Sequence, residues 1–86
     1  TAMHEGHRER MRAQLRQSGM DSLSDVQVLE VLLYHAFARQ DTNLLAHALI
    51  ARFGSLAGVF EAPVSELVKV PGIGPGAAEL IALAAD

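Results

Sequence analysis

The sequence has 86 residues, of which 50% are hydrophobic and 20% charged, a composition that suits one small globular domain with an aliphatic core. It has no cysteine and no apolar run near the ~18 residues that span a membrane, which excludes disulfides, thiolate metal sites and a transmembrane helix, and we expect a cytoplasmic protein. The net charge is −3, yet four of the seven basic residues lie in the first 20 positions, so a polyanion is expected to bind only at selected places.

Helix signals run along the whole chain, and no stretch shows the alternation of a strand. We expect helices at about residues 5–17, 24–37, 42–53, 55–60, 63–70 and from 76 onward. Ser24 and Gln27 in SDVQ form a predicted capping box, and Asp41 or Thr42 is expected to cap the third helix. The second helix, VQVLEVLLYHAF, is apolar on nearly every side and is therefore placed in the centre. The predicted fold class is all-α, a compact bundle of five or six short helices.

The first helix places Arg8, Arg12 and Arg16 four residues apart, on one stripe of its surface. Such a stripe is typical of a solvated helix face, on which Glu9 can pair with Arg12. The same stripe is also suited to following a row of phosphates. Both interpretations stay open from the sequence.

The sequence offers little for catalysis or metal binding. His4 and His7 in HEGH are one residue short of the spacing that puts two zinc-binding histidines around a glutamate on one helix face. GSLAG lacks the serine position of a nucleophile elbow, and the chain has no cysteine nucleophile and no clustered acids. We therefore expect no enzymatic activity in this chain.

The densest run of glycine and proline is VPGIGPGAAELI, residues 70–81, in which three glycines and two prolines precede a helix-forming run. Glycine has no Cβ and permits positive φ, so the backbone of such a turn can lie open to a partner. Val70 and Ile73 are expected to anchor the turn in the core. At the start of the last helix, where the helix dipole favours an anion, the open amides are predicted to be those of Gly72, Gly74, Gly76 and Ala77. The natural ligand is a phosphate group.

The stretch LVKVPGIGPGAAELI resembles the helix-hairpin-helix motif of DNA-repair proteins. The resemblance implies that the turn amides hold a DNA phosphate. It also implies that the carbonyls of Val68, Val70 and Ile73 can hold a potassium or sodium ion that bridges to it. Many members carry Lys or Arg where this chain has Gly76, so that side-chain contribution is missing, and Lys69 and Arg52 are the candidates to replace it.

From Gly6 to its end, the chain resembles the N-terminal domain of the RadC family, in which counterparts of GHRER, VLEVLL, RQDTN, FGSL and GIG recur in this order. The resemblance implies two helix-hairpin-helix units. The first, HAFARQDTNLLAHAL, is degenerate and carries Arg39 in its loop as a further phosphate contact. The resemblance covers residues 6–86, which we take as the domain, and the residues before it, 1–5, are expected to be an added or disordered start. A longer parent protein would supply a C-terminal JAB/MPN metalloprotease-like domain as partner.

The predicted function is a DNA-binding module of a RadC-like DNA-repair protein, which holds backbone phosphates of duplex or branched DNA without reading bases. The alternative is a protein-protein interaction module on the same fold, which the net acidity and Gly76 favour. The two differ in where the cations lie. DNA binding predicts that they converge on the turn at residues 72–77, and a protein partner predicts an acidic or apolar surface there. The cations concerned are Arg8, Arg12, Arg39, Arg52 and Lys69.

Overall fold

Six α-helices and one short 3-10 helix form the secondary structure of residues 2–85, the part of the chain that the computed structural model describes, and no β-strand occurs in that range. Side-chain surroundings are described from Gly6 onward. The helices are α1 (Ala2–Ser18), α2 (Asp25–Leu33), α3 (Thr42–Phe53), α4 (Leu56–Glu61), α5 (Val64–Leu67) and α6 (Pro75–Ala85), with the 3-10 helix at Met20–Ser22. The all-α prediction is confirmed.

Side-chain caps begin three helices where the sequence predicts them. The Ser24 hydroxyl accepts a hydrogen bond from the Gln27 amide at 3.2 Å, and the Gln27 side chain accepts one from the Ser24 amide at 2.9 Å, which completes the capping box of α2. Asp41 accepts from two amides in the first turn of α3, and Ser55 accepts from one in α4. These bonds satisfy amides that a helix start leaves without partners.

Helix α2 ends at Leu33, so the predicted extension to Phe37 is wrong. After Leu33 the amides of Tyr34, His35 and Ala36 bond to carbonyls three residues back, which tightens the chain into a turn. Tyr34 is buried at this turn, against α1. The apolar run has no glycine or proline at this point, so periodicity alone could not locate the end.

The core consists of two clusters. The main cluster joins α2 to α6, with α2 packed on α3 and α6 packed on α4 and α5. Its fully buried members are Leu29, Leu33, Ala46, Leu49, Val59, Leu67, Ala78 and Ile81. The smaller cluster holds Met11 of α1 against Leu23, Val31 and Tyr34. Helix α1 is therefore attached to the bundle through its own small cluster and through polar side chains.

Candidate functional site

The glycine hairpin, residues 70–77, connects the turn after α5 to the start of α6. Val70 and Ile73 are buried in the main core cluster, which confirms both predicted anchors. The Ile73 amide donates to the Val70 carbonyl at 3.0 Å and closes the turn. Two buried aliphatic side chains therefore anchor the hairpin in the core, while its glycines are exposed to solvent.

The hairpin needs a glycine for conformational reasons at position 72. Gly72 has a φ of 91°, which is costly for any residue with a Cβ. An added Cβ there would also lie 2.8 Å from Leu45 Cδ2 of α3, so the hairpin approaches α3 closely. Gly74 and Gly76 have no positive φ, and an added Cβ at either would meet no atom within 4 Å. Their role is to leave the backbone uncovered.

Several amides of the hairpin donate to no backbone carbonyl of residues 2–85, namely those of Gly72, Gly74, Gly76 and Ala77. In α6 the first amide that does so is that of Ala78, which lies 3.0 Å from the Gly74 carbonyl. The three glycines are exposed, whereas Ala77 is only 5% exposed. The hairpin thus leaves backbone donors at the N-terminus of an 11-residue helix, where the helix dipole adds positive potential.

The connection between α2 and α3, residues 34–41, lies beside the glycine hairpin. A groove of about 560 Å³ runs between them. Its lining consists of His35, Ala36 and Phe37 from the connection, Gly74, Gly76 and Ala77 from the hairpin, and Glu79, Leu80 and Leu83 from α6. Residues 35–37 of the connection and the glycine hairpin therefore line the same groove, whereas Gln40 and Asp41 line a separate pocket with His7 and Arg8.

The cations predicted to converge on the hairpin lie in separate places. Arg52 and Lys69 both pair with Glu66, at 3.1 Å and 2.8 Å. The hydrogen bond and charge of Lys69, and then the charge of Arg52, lower the pKa of the Glu66 carboxyl. Glu66 therefore remains ionised at neutral pH and offsets part of the positive charge of Arg52 and Lys69. These are the two side chains expected to replace the basic residue that is absent at position 76.

Arg8 is only 8% exposed, so it belongs neither to a solvated face nor to a phosphate track. Its Nη1 donates to the Ala38 carbonyl at 3.0 Å, and its Nη2 donates to the Gln40 carbonyl at 2.8 Å. Its guanidinium carbon lies 4.5 Å from the centroid of the Tyr34 ring, and that of Arg12 lies 5.4 Å from it. Both interpretations of the arginine stripe are therefore wrong for Arg8.

Glu30, which is only 3% exposed, is a buried charged residue of α2 that sequence reasoning missed. Its carboxylate accepts hydrogen bonds from the Tyr34 hydroxyl and the Asn43 side-chain nitrogen Nδ2, each at 3.2 Å, and lies 2.7 Å from the ring nitrogen Nε2 of His7. We call these four residues the Glu30 cluster. Burial, together with the charge and hydrogen bond of Glu30, raises the pKa of Tyr34 to about 12. An acidic residue in an otherwise apolar helix is visible in the sequence, and a buried carboxylate requires hydrogen-bond partners. The sequence alone does not show which residues those partners are.

No metal centre emerges from the described residues, among which no group of three or more His, Asp or Glu side chains is arranged to hold an ion. His7 contacts Glu30, whereas the side chain of His4 lies outside the described residues. The exposed His35 and His47 lie in different elements, the first in the 34–41 connection and the second in α3. None of the helices between Ala2 and Ala85 has the length and apolar composition that crossing a bilayer requires.

Comparison with known proteins identifies the family. The family described as UPF0758 N-terminal matches residues 3–82, nearly the whole chain. No solved structure matches the chain significantly. The matched residues include the glycine hairpin, the 34–41 connection and the Glu30 cluster. The chain therefore belongs to the UPF0758 N-terminal family, the N-terminal region of RadC-family proteins.

Proposed function

We propose that this domain binds DNA through backbone phosphates and does not read the bases. The observation that carries the proposal is the group of free hairpin amides at the start of α6, beside residues 35–37 of the 34–41 connection. Phosphate oxygens are natural acceptors for amides at a helix N-terminus, where the dipole favours negative charge. Contacts of this kind position a protein on DNA but carry no sequence information.

In this proposal the amides of Gly72, Gly74 and Gly76 donate to one phosphate, and the less exposed Ala77 amide reinforces them. Arg39, exposed in the neighbouring connection, contacts a second phosphate. Lys69 and Arg52 add less, because Glu66 neutralises part of their charge.

The proposal includes a monovalent cation beside the hairpin. Potassium or sodium would be held by the carbonyls of Val68, Val70 and Ile73. The Val70 carbonyl accepts one hydrogen bond, from the Ile73 amide, and keeps a second lone pair. Such an ion would add positive charge next to the bound phosphate.

The proposed contacts predict weak, salt-dependent binding. Neutralising about three phosphates gives a slope of roughly −3 for log affinity against log salt, with dissociation constants on the order of 10⁻⁴ to 10⁻⁶ M. The domain would then act as the DNA-binding part of a longer RadC-like repair protein, with the C-terminal JAB/MPN domain as its partner in the same chain.

A charge pair at position 76 tests the proposal. Gly76→Lys adds a cation beside the predicted phosphate, and Gly76→Glu adds an anion at the same open position, where a Cβ meets no atom within 4 Å. Both replace a helical glycine, so neither is expected to unfold the domain. In a fluorescence-anisotropy titration with a short duplex, Gly76→Lys should raise affinity severalfold and steepen the salt slope by about one unit. Gly76→Glu should lower affinity, and equal binding by both variants would contradict the proposal.

A protein-interaction module is the second candidate. Arg8, Arg52 and Lys69 are each occupied by contacts within the domain, and the groove at the hairpin is lined in part by Glu79, Leu80 and Leu83, which is the acidic and apolar surface predicted for a protein partner. A separate apolar pocket also favours this function. The pocket has a volume of about 330 Å³ and lies between the smaller core cluster and the ends of α4 and α6, with Leu15, Leu23 and Phe60 in its lining. Met20 beside it is 62% exposed. If neither Gly76 variant changes DNA binding, this function becomes the better account of the domain.

A further inference from the structure

Arg8 joins helix α1 to the backbone of the 34–41 connection. The two terminal nitrogens of Arg8 donate to the carbonyls of Ala38 and Gln40, at 3.0 Å and 2.8 Å. These two residues flank Arg39, so Arg8 fixes the backbone on both sides of it. The guanidinium fork is planar and rigid, which makes it suited to fixing two acceptors at once.

The connection has few other restraints at this point. The amides of residues 38–41 donate to no backbone carbonyl among residues 2–85. Asp41 is anchored by its capping bonds to α3, which leaves Ala38, Arg39 and Gln40 dependent on Arg8. The loop conformation around Arg39 is therefore set by a residue some 30 positions earlier in the chain.

Arg8 is itself held in a fixed position. It packs on the face of the Tyr34 ring, and the Tyr34 hydroxyl donates to Glu30. His7, its neighbour in α1, contacts the same carboxylate, and Asn43 of α3 donates to it. Three helices thus meet at Glu30 and orient Arg8 towards the connection.

We propose that Arg8 is a positioning residue that keeps Arg39 in place for a DNA phosphate without touching the nucleic acid itself. This inference rests on the proposed function. Ordering a loop on binding costs free energy, and a loop that is already fixed avoids that cost. The contribution of α1 to DNA binding is therefore indirect, through the conformation of the 34–41 connection.

Arg8→Lys separates charge from geometry, because lysine keeps the positive charge but lacks the fork that binds two carbonyls. Arg12→Lys is the matched control. Arg12 lies on the same stripe and over the same Tyr34 ring but makes no hydrogen bond to the connection. Arg39→Ala removes the proposed phosphate contact, and the double variant Arg8→Lys/Arg39→Ala measures the coupling between the two positions.

Duplex binding is measured for all four variants at several salt concentrations. Arg39→Ala should lower affinity severalfold and reduce the salt slope by about one unit. Arg8→Lys should reduce the slope by a similar amount although the net charge is unchanged, and it should have no further effect in the Arg39→Ala background. Arg12→Lys should bind like the parent. An unchanged slope in Arg8→Lys, or effects of the two variants that multiply, would overturn the inference.

Backbone order parameters of the free protein give a second, DNA-independent measurement. In Arg8→Lys those of Ala38 to Gln40 should fall from about 0.85 towards 0.6, while those of α3 stay unchanged and show that the domain is folded. If the order parameters of these residues are unchanged, the inference about Arg8 is wrong, whereas the proposed DNA binding is not affected. If the parent binds no duplex, the proposed function fails, and the inference that depends on it fails as well.

Discussion

The glycine hairpin and the 34–41 connection lie side by side, but the chain specifies them in different ways. The hairpin is specified by its own residues, since Gly72 supplies the positive φ and Val70 and Ile73 supply the anchors. The 34–41 connection has no glycine and depends on Arg8, which binds its carbonyls from α1. One loop is therefore encoded locally, and the other is held by a distant side chain.

This difference predicts which substitutions disturb the conformation of each loop. The hairpin is sensitive to a Cβ at a single position, whereas the connection is sensitive to polar changes in α1 and α2. Substitutions in one loop or its surroundings should therefore have effects that can be measured separately.

Glu30→Leu should have the largest effect, because it removes the acceptor of the cluster that orients Arg8. The Tyr34 hydroxyl and the side-chain Nδ2 of Asn43 would be left without their partner. We expect a loss of about 2–4 kcal/mol in the free energy of unfolding. Urea denaturation followed by circular dichroism measures it. Glu61→Leu, at an exposed position in α4, is the control, and an equally small loss in both variants would contradict the role of Glu30.

Gly72→Ala should affect the hairpin in the same assay. The added Cβ meets a left-handed φ and the Leu45 side chain, and we expect a loss of about 1–3 kcal/mol. Gly74→Ala, two residues on, meets neither obstacle and should change the free energy of unfolding by less than about 1 kcal/mol. Similar losses in the two variants would show that the hairpin does not have the conformation described.

Titration of Tyr34, the only tyrosine, reports on the Glu30 cluster directly. Its pKa of about 12 lies above the ordinary value of about 10 for an unfolded chain. The associated stabilisation is therefore fully present below pH 10 and is lost as the pH rises from about 10 to 12. Ultraviolet absorbance should show a midpoint near 12. Glu30→Gln should lower that midpoint, though not to 10, because burial is the larger cause. A midpoint of 10 in a protein that circular dichroism shows to be folded would rule out the contact.

Glu66→Gln should have the smallest effect on folding and a measurable one on binding. The substitution frees Lys69 and Arg52 from their shared carboxylate and removes one negative charge. Affinity for a duplex should rise at low salt, and the gain should shrink as salt is added. Gln40→Glu, which adds a charge to the 34–41 connection instead, should have the opposite effect. Equal affinity of Glu66→Gln and the parent would place Lys69 and Arg52 outside the binding face.

Sequence reasoning predicted the elements that depend on local chemistry. The capping box at Ser24, the cap at Asp41 and the anchors Val70 and Ile73 follow from residues a few positions apart, and the structure confirms them. The end of α2 and the place of Arg8 could not be predicted. The place of Arg8 depends on the packing of α1 against Tyr34, a contact between residues far apart in the sequence, and no glycine or proline marks the end of α2.

The binding face was only partly predictable for the same reason. The free amides follow from the glycine and proline pattern, and the pair of Glu66 with Lys69 is consistent with their spacing of three residues, but the pairing of Arg52 with Glu66 depends on how α3 and α5 approach each other. A sequence records the charges and not the distances between them. DNA binding by the predicted residues stays a prediction.

The most direct test of the account is an NMR titration of the domain with a short DNA duplex at low salt. The account predicts that the largest shifts occur in the amides of Gly72, Gly74, Gly76 and Ala77, with smaller ones at Arg39 and its neighbours. Raising the salt concentration should reverse both sets together. Shifts confined to the apolar pocket beside Met20, or no shifts in either loop, would contradict the claim that this face binds phosphate.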